Sequence, residues 1–166
     1  MKHIVIGIDP GSKGCACAMR IDGSAPPAID LCDLSDIDLC DWLRSLYEAA
    51  KIDGVRIHAF VEHVSGFVPG RPQPASRAFI LGQSYGRALG ILEAIKMPYE
   101  RVSPVVWQRE FMQARSGESY AERKRRIARI ARQLFPSQKI TLARADSLII
   151  AEYGRRVLAH RDGGAK

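Results

Sequence analysis

Asp9, Glu62 and Asp146 are acids whose chain contexts can bring them together. Asp9 closes a β-branched run, His3 to Asp9, that Pro10 and Gly11 stop. Glu62 closes a second apolar run beginning at Val55. Side chains at the ends of neighbouring strands stand ~4.8 Å apart, the strand spacing. Asp146 falls near the start of the last helical stretch, sharing its face with Leu142, Ala143, Ile149, Ile150, Tyr153 and Val157 at about 100° per residue. A carboxylate on a core-facing stripe needs a partner. Singly, each acid has a plainer reading: an N-cap for Asp146, loop-edge residues for the other two. Together they would repel unless they bind a cation, and hard oxygen donors in that number suit Mg²⁺ or Mn²⁺.

The elements that must position these acids are legible in coarse form. Strands are expected over His3 to Asp9, with Ile4, Ile6 and Ile8 on one face and Asp9 on the other, over Cys15 to Ile21, and near Ala28 to Cys32, with Asp22 and Gly23 as a hairpin turn. Ser35 starts a helix reaching about Ala50, favoured by Asp36 and Asp38 in its first turn. Val55 to Val61 is a fourth strand and Tyr99 to Val102 a fifth. Two glycines and three prolines make residues 63–74 a long loop. A helix follows from Ala75 to Ala94, with Ala78, Gly82, Gly86 and Gly90 on one stripe that allows a second backbone to come close. It packs either on its own sheet or on another copy. Helices over Pro104 to Met112, Tyr120 to Phe135 and Leu142 to Ala159 complete the chain, and 160–166 reads as a frayed tail.

Arg123 to Arg126 with Arg129 and Arg132 place Arg125, Arg129 and Arg132 along one side of a helix, opposite Ile127, Ile130 and Leu134. Such a face is either solvated or set against phosphates, and a formal charge of +7 favours phosphates.

The motifs Ile6-Gly7-Ile8-Asp9-Pro10-Gly11 with Gly14, Val61-Glu62-His63-Val64, Leu81-Gly82-Gln83-Ser84-Tyr85-Gly86, Pro104 with Trp107, Leu134-Phe135-Pro136 and Ala145-Asp146-Ser147-Leu148 resemble, in order and over nearly the whole chain, the RuvC-type Holliday-junction resolvases. The likeness is strongest to their phage and prophage branch. It implies an α/β ribonuclease H-like fold, a five-stranded mixed sheet flanked by helices, as one domain over 1–160, and a homodimer. It also implies two-metal hydrolysis of DNA phosphodiesters at a four-way junction. Asp9, Glu62 and Asp146 match the catalytic positions. Asp9 would bridge two Mg²⁺, or Mn²⁺ in their place, with Glu62 and Asp146 holding one each. A metal-activated water would attack in line, leaving a 5′-phosphate and a 3′-hydroxyl. A lysine of the family approaches the scissile phosphate, and Lys124 is its counterpart here. In the loop, Phe67 and Arg71 could stack on and brace an opened base pair at the crossover; a passive surface loop is the other reading. One departure stands out: the family usually carries Asp or His three residues before the last acid, and this chain has Ala143. The alternative function is therefore a protein that binds junctions or other branched DNA and cleaves weakly or not at all.

Composition excludes several other classes. With 166 residues, 46% of them hydrophobic, the chain suits one globular domain. Its apolar runs fall far short of the ~20 residues of a membrane span, and it opens with no signal-peptide order, so a cytoplasmic protein away from membranes is expected. Cys15, Cys17, Cys32 and Cys40 lack paired zinc spacing and are expected to be reduced; a metal or redox pair at Cys15 and Cys17 is the other reading. Asp9 to Gly14 also looks like the phosphate loop of an actin or sugar-kinase ATPase, but those enclose nucleotide between two domains.

Overall fold

The computed structural model describes residues 3–11, 13–20, 22, 24, 29–65 and 74–163, with the side chain of Cys32 also outside the description. Strands β1 (His3–Asp9), β2 (Cys15–Arg20), β3 (Ile29–Asp30), β4 (Arg56–Glu62) and β5 (Tyr99–Val102) form one mixed sheet of order β3-β2-β1-β4-β5. β1 pairs antiparallel with β2 and parallel with β4, and β4 pairs parallel with β5. Helices α1 (Asp36–Ile52) and α2 (Ala75–Ala94) follow β3 and β4 respectively, and α3 (Pro104–Phe111), α4 (Tyr120–Leu134) and α5 (Leu142–Gly163) follow β5.

The alternation expected in β1 is what divides the molecule. Ile6 and Ile8 pack with Leu39 and Leu43 of α1 and Ala88 and Leu92 of α2 on one face. Val5, with Phe60 of β4, packs with Trp107, Ile127, Ala128 and the α5 residues Leu148 to Ala151 on the other. Each fully buried Ile or Leu contributes ~1.5–3 kcal/mol by leaving water. Because side chains alternate along a strand, Asp9 and Glu62 share parity with Val5 and Phe60 and belong to the α5 side.

Two glycines let α5 approach that side. A Cβ on Gly7 would stand 2.2 Å from the Ser147 carbonyl oxygen, and one on Gly154 would stand 2.3 Å from the Phe60 ring. The α5 helix therefore lies directly on β1 and β4, and residues 145–152 are buried all around rather than along one stripe.

Two boundaries and the placement of one side chain differ from expectation. β3, described over Ile29–Asp30, ends at Asp30 and turns at once into a 3₁₀ segment, Leu31–Asp33, while Ala28 lies outside the described residues. There Arg144 of α5 grips the Asp30 carboxylate through two nitrogens, at 3.1 and 2.8 Å, and the Cys15 thiol donates to it as well. α5 runs past Ala159 to Gly163, so residues 160–163 are helix rather than frayed tail. Its last turn is latched by Asp162 accepting from His3 at 2.7 Å and by Arg161 on Glu100. Leu134, expected on the apolar side of α4, is 40% exposed. Cys15 and Cys17 are buried free thiols. Among the described residues no helix is long and apolar enough to cross a membrane.

Candidate active site

β1 and β4 deliver Asp9 and Glu62 to one edge of the sheet. Ile8 is the partner of Val61 in the parallel register, so Asp9 and Glu62 follow one position later on adjacent strands. Pro10 and Gly11 end β1 there. The Gly11 amide donates to Asp9 Oδ1 at 3.1 Å and Gly14 donates back to the Gly11 carbonyl, closing a tight turn. Gly14 is required by this turn, since a Cβ would stand 2.2 Å from the Asp9 carbonyl oxygen. Across the sheet face, α5 brings in Asp146. Thr141 caps that helix by accepting from the Arg144 amide, which makes Asp146 an interior helical residue and removes its N-cap reading.

Lys124 completes the group. It reaches over from α4, donates to Asp146 Oδ2 and lies 3.9 Å from Asp9 Oδ2. Asp146 is 4% exposed, and its other oxygen, Oδ1, is buried with no partner. Glu62 accepts from the indole nitrogen of the buried Trp107 at 3.1 Å.

The electrostatics follow from burial and crowding. Glu62 is pushed up to about 8 by desolvation first and then by repulsion from Asp9 and Asp146, with Lys124 acting against both. Asp146 is raised to about 6 by desolvation, opposed by Lys124 and reinforced by Asp9. Asp9 is raised by burial, with Lys124 and the Gly11 amide pulling it back. Burial works against the Lys124 ammonium, but Asp146 and Asp9 outweigh it and hold the group above its ordinary value.

These residues fit a divalent cation by chemistry. They supply three oxygen-donor side chains, mutual repulsion in want of positive charge, and an orphaned buried oxygen on Asp146. As the side chains stand, no three His, Cys, Asp or Glu among the described residues are grouped to hold a metal, and the Lys124 ammonium sits against Asp146 and near Asp9. A cation held by Asp146 and Asp9 would compete with this lysine position for the same carboxylates.

The other expected residues divide clearly. Arg125 and Arg129 are exposed on α4 and line an open cleft. Arg132 is exposed and donates to the Ile140 carbonyl at 3.3 Å. Ala143 is half-buried one turn before Asp146. Phe67 and Arg71 lie outside the described residues. Three features escaped the sequence reading. Trp107 fixes Glu62. Tyr120, 47% exposed, presents its ring to both Arg123 and Lys124, at 5.5 and 5.7 Å. Arg126, which looks like one more member of a charge run, is buried against Glu118. Only the Pro104 to Trp107 spacing carried a signal, since it placed a Trp one turn into a helix that follows a strand.

No family model matches the chain, and no curated protein matches it in sequence. Among solved structures, RuvC of Thermus thermophilus in complex with Holliday junction substrate aligns with a TM-score of 0.56 and 14% identity over 93% of this chain and 96% of that one. The Thermus thermophilus RuvC structure aligns with a TM-score of 0.51 and 15% identity over 95% of this chain and 96% of that one. The chain therefore has the RuvC fold, the ribonuclease H-like mixed sheet with flanking helices.

Proposed function

We propose that the protein is a metal-dependent, structure-selective endodeoxyribonuclease acting on four-way DNA junctions. The observation that carries this reading is the meeting of Asp9, Glu62 and Asp146 at one sheet edge, with an unpaired buried oxygen on Asp146 and Lys124 alongside. The fold and the net charge of +7 support it. RuvC of Thermus thermophilus has been seen on Holliday junction substrate, and the same substrate class is proposed for this chain.

Asp9, Glu62 and Asp146 would hold Mg²⁺, which supplies an activated water and charge stabilisation at the phosphate when bound. The protein's own groups set up that chemistry. Trp107 keeps Glu62 in one orientation, and the Gly11 amide does the same for Asp9. Without a cation, Glu62 holds a proton on its carboxyl at neutral pH. Lys124 shields Asp146 and Asp9 in the free protein. On engaging DNA it exchanges the carboxylate for a phosphate oxygen, which clears Asp146 and fixes the strand at the same moment.

A homodimer is part of this reading. Gly82, Gly86 and Gly90 on α2 would have nothing within 4 Å of an added Cβ, so the small-residue stripe faces away from its own sheet. Phe79 and Ile80 beside it are 66% and 49% exposed. The surface suits a second copy of the same helix.

One observation favours binding with weak cleavage as the second reading. Ala143 leaves Asp146 without a neighbouring donor, and Lys124 occupies its other oxygen. The deciding experiment is single-turnover cleavage of a synthetic four-way junction in Mg²⁺ and in Mn²⁺, beside a gel shift in Ca²⁺, for wild type and Glu62→Gln. Cleavage lost in the variant with binding retained supports the nuclease. Binding to junctions with no cleavage in either metal selects the second reading, and no preference for junctions over duplex overturns both.

A further inference from the structure

The face of α4 turned away from Lys124 carries a feature that the carboxylate cluster does not use. Between α4 and the loop 112–119 lies an open cleft of about 510 Å³, walled by Arg115, Arg125, Arg126 and Arg129. Arg126 is only 9% exposed. Its guanidinium donates to Glu118 at 2.7 Å and to the Gln113 carbonyl at 2.9 Å, yet its Nε is buried with no partner. A buried cation with an unmet donor is costly unless a ligand meets it. Glu122, the other acid at the cleft, is engaged with Ser119 in the capping box that starts α4. Arg115, Arg125 and Arg129 are exposed, so the lining is net positive. Gly117, at φ +72°, turns the loop and leaves its wall without a side chain.

We propose that this cleft is a second phosphate site, holding the sugar-phosphate backbone of the strand whose reacting phosphate lies at the carboxylates. The inference rests on the nuclease reading for its occupant. Size argues for backbone over a small anion, because a cleft of about 510 Å³ takes a nucleotide-sized segment and a lone phosphate would leave most of it empty. Guanidinium groups are suited to the role by their forked donors. Arg125 and Arg129 are one helical turn apart, ~6 Å along the axis. Lys124 lies on the opposite side of the same helix, ~10–12 Å across, so the phosphate gripped here is a few nucleotides from the reacting one.

The test compares wild type with Arg115→Ala/Arg129→Ala, both exposed positions, and with Arg44→Ala/Lys51→Ala, which removes the same charge from α1. Binding of a four-way junction and of a linear duplex is followed across a salt titration in Ca²⁺. The cleft variant should bind both DNAs at least ~10-fold more weakly at moderate salt, with the salt slope flattened by ~0.9 per lost phosphate contact, while the α1 variant keeps the wild-type slope. A scan of single neutral methylphosphonates should find a position away from the cut that weakens wild type and leaves the cleft variant unaffected. An unchanged slope in the cleft variant overturns the proposal. So does a variant that loses inorganic phosphate binding while keeping its DNA slope, since the cleft would then be a small-anion site. If wild type shows no junction preference and no cleavage but the slope still falls, the nuclease reading fails and the cleft stands as a nucleic-acid site. If cleavage and preference hold with an unchanged slope, the cleft proposal alone fails.

Discussion

Gly7 of β1 and Ser147 of α5 meet backbone to backbone: a Cβ on Gly7 would stand 2.2 Å from the Ser147 carbonyl oxygen and 2.5 Å from the Ala151 nitrogen. That contact lies two residues from Asp9 and one from Asp146, so it sets the separation of the two carboxylates. Gly7→Ala must push α5 outward. Overpacking of this kind costs ~1–3 kcal/mol, a fall in Tm of ~2–4 °C per kcal/mol for a chain of this size. Thermal melts should show that loss, and junction cleavage should fall further than binding. Gly82→Ala on the open face of α2 is the contrast. Within its own chain it meets nothing, and replacing glycine in an exposed helix should raise the stability of the monomer by ~0.8–1 kcal/mol. Gly86→Leu on the same stripe should shift a dimer toward monomer in sedimentation, and an unchanged oligomeric state would remove α2 from the interface.

Asp9→Asn, Glu62→Gln and Asp146→Asn each remove a charged oxygen donor with almost no change in volume. Each should lower single-turnover cleavage by at least ~10²-fold, while gel shifts in Ca²⁺ show junction affinity retained or improved, because less negative charge faces the phosphates. Parallel loss of binding and cleavage would make these acids structural.

Glu62 predicts a pH dependence of the metal-free protein. Its folded value of about 8 lies above the ordinary 4.5, so the folded state holds a proton that the unfolded chain has released. Stability contributed by that proton is full below about 4.5 and disappears as pH rises through about 8. In chelator, the wild-type Tm should therefore decline from pH 5 to pH 8, and Glu62→Gln should flatten the decline. Asp146, raised to about 6 from 3.8, acts in the same direction over a lower window. At pH 8 added Mn²⁺ should raise the wild-type Tm more than that of the variant. A flat wild-type profile would mean that Glu62 is ionised and compensated from the start.

Ala143→Asp places a carboxylate one helical turn before Asp146, within reach of the same cation and of Lys124. Cleavage across a Mg²⁺ titration should rise at low Mg²⁺ for the variant, and wild type should prefer Mn²⁺. Robust wild-type cleavage at low millimolar Mg²⁺, with no gain on substitution, would assign the missing donor to another group.

Much of this was legible because it is local. Alternation along β1 put Ile6 and Ile8 on one face and Asp9 on the other, Ser35 marked the start of α1, and the β5 and α2 limits were read from apolar runs bounded by breakers. Strand ends and helical periodicity picked out Asp9, Glu62 and Asp146, the family resemblance offered Lys124, and the fold brings the four together. The tertiary structure alone decided what those residues touch. That Lys124 sits against Asp146 depends on how α4 docks on α5, a register set by side-chain packing between segments 22 positions apart. Arg126 reads as surface charge until the loop carrying Glu118 folds back over it. β3 stops at Asp30 where Arg144, 114 positions away, claims its carboxylate, and α5 outlasts its apolar pattern where His3, 159 positions away, holds Asp162. Periodicity reports the face a residue presents within its own element, whereas these partners are chosen by long-range closure of the chain, which leaves no period to read.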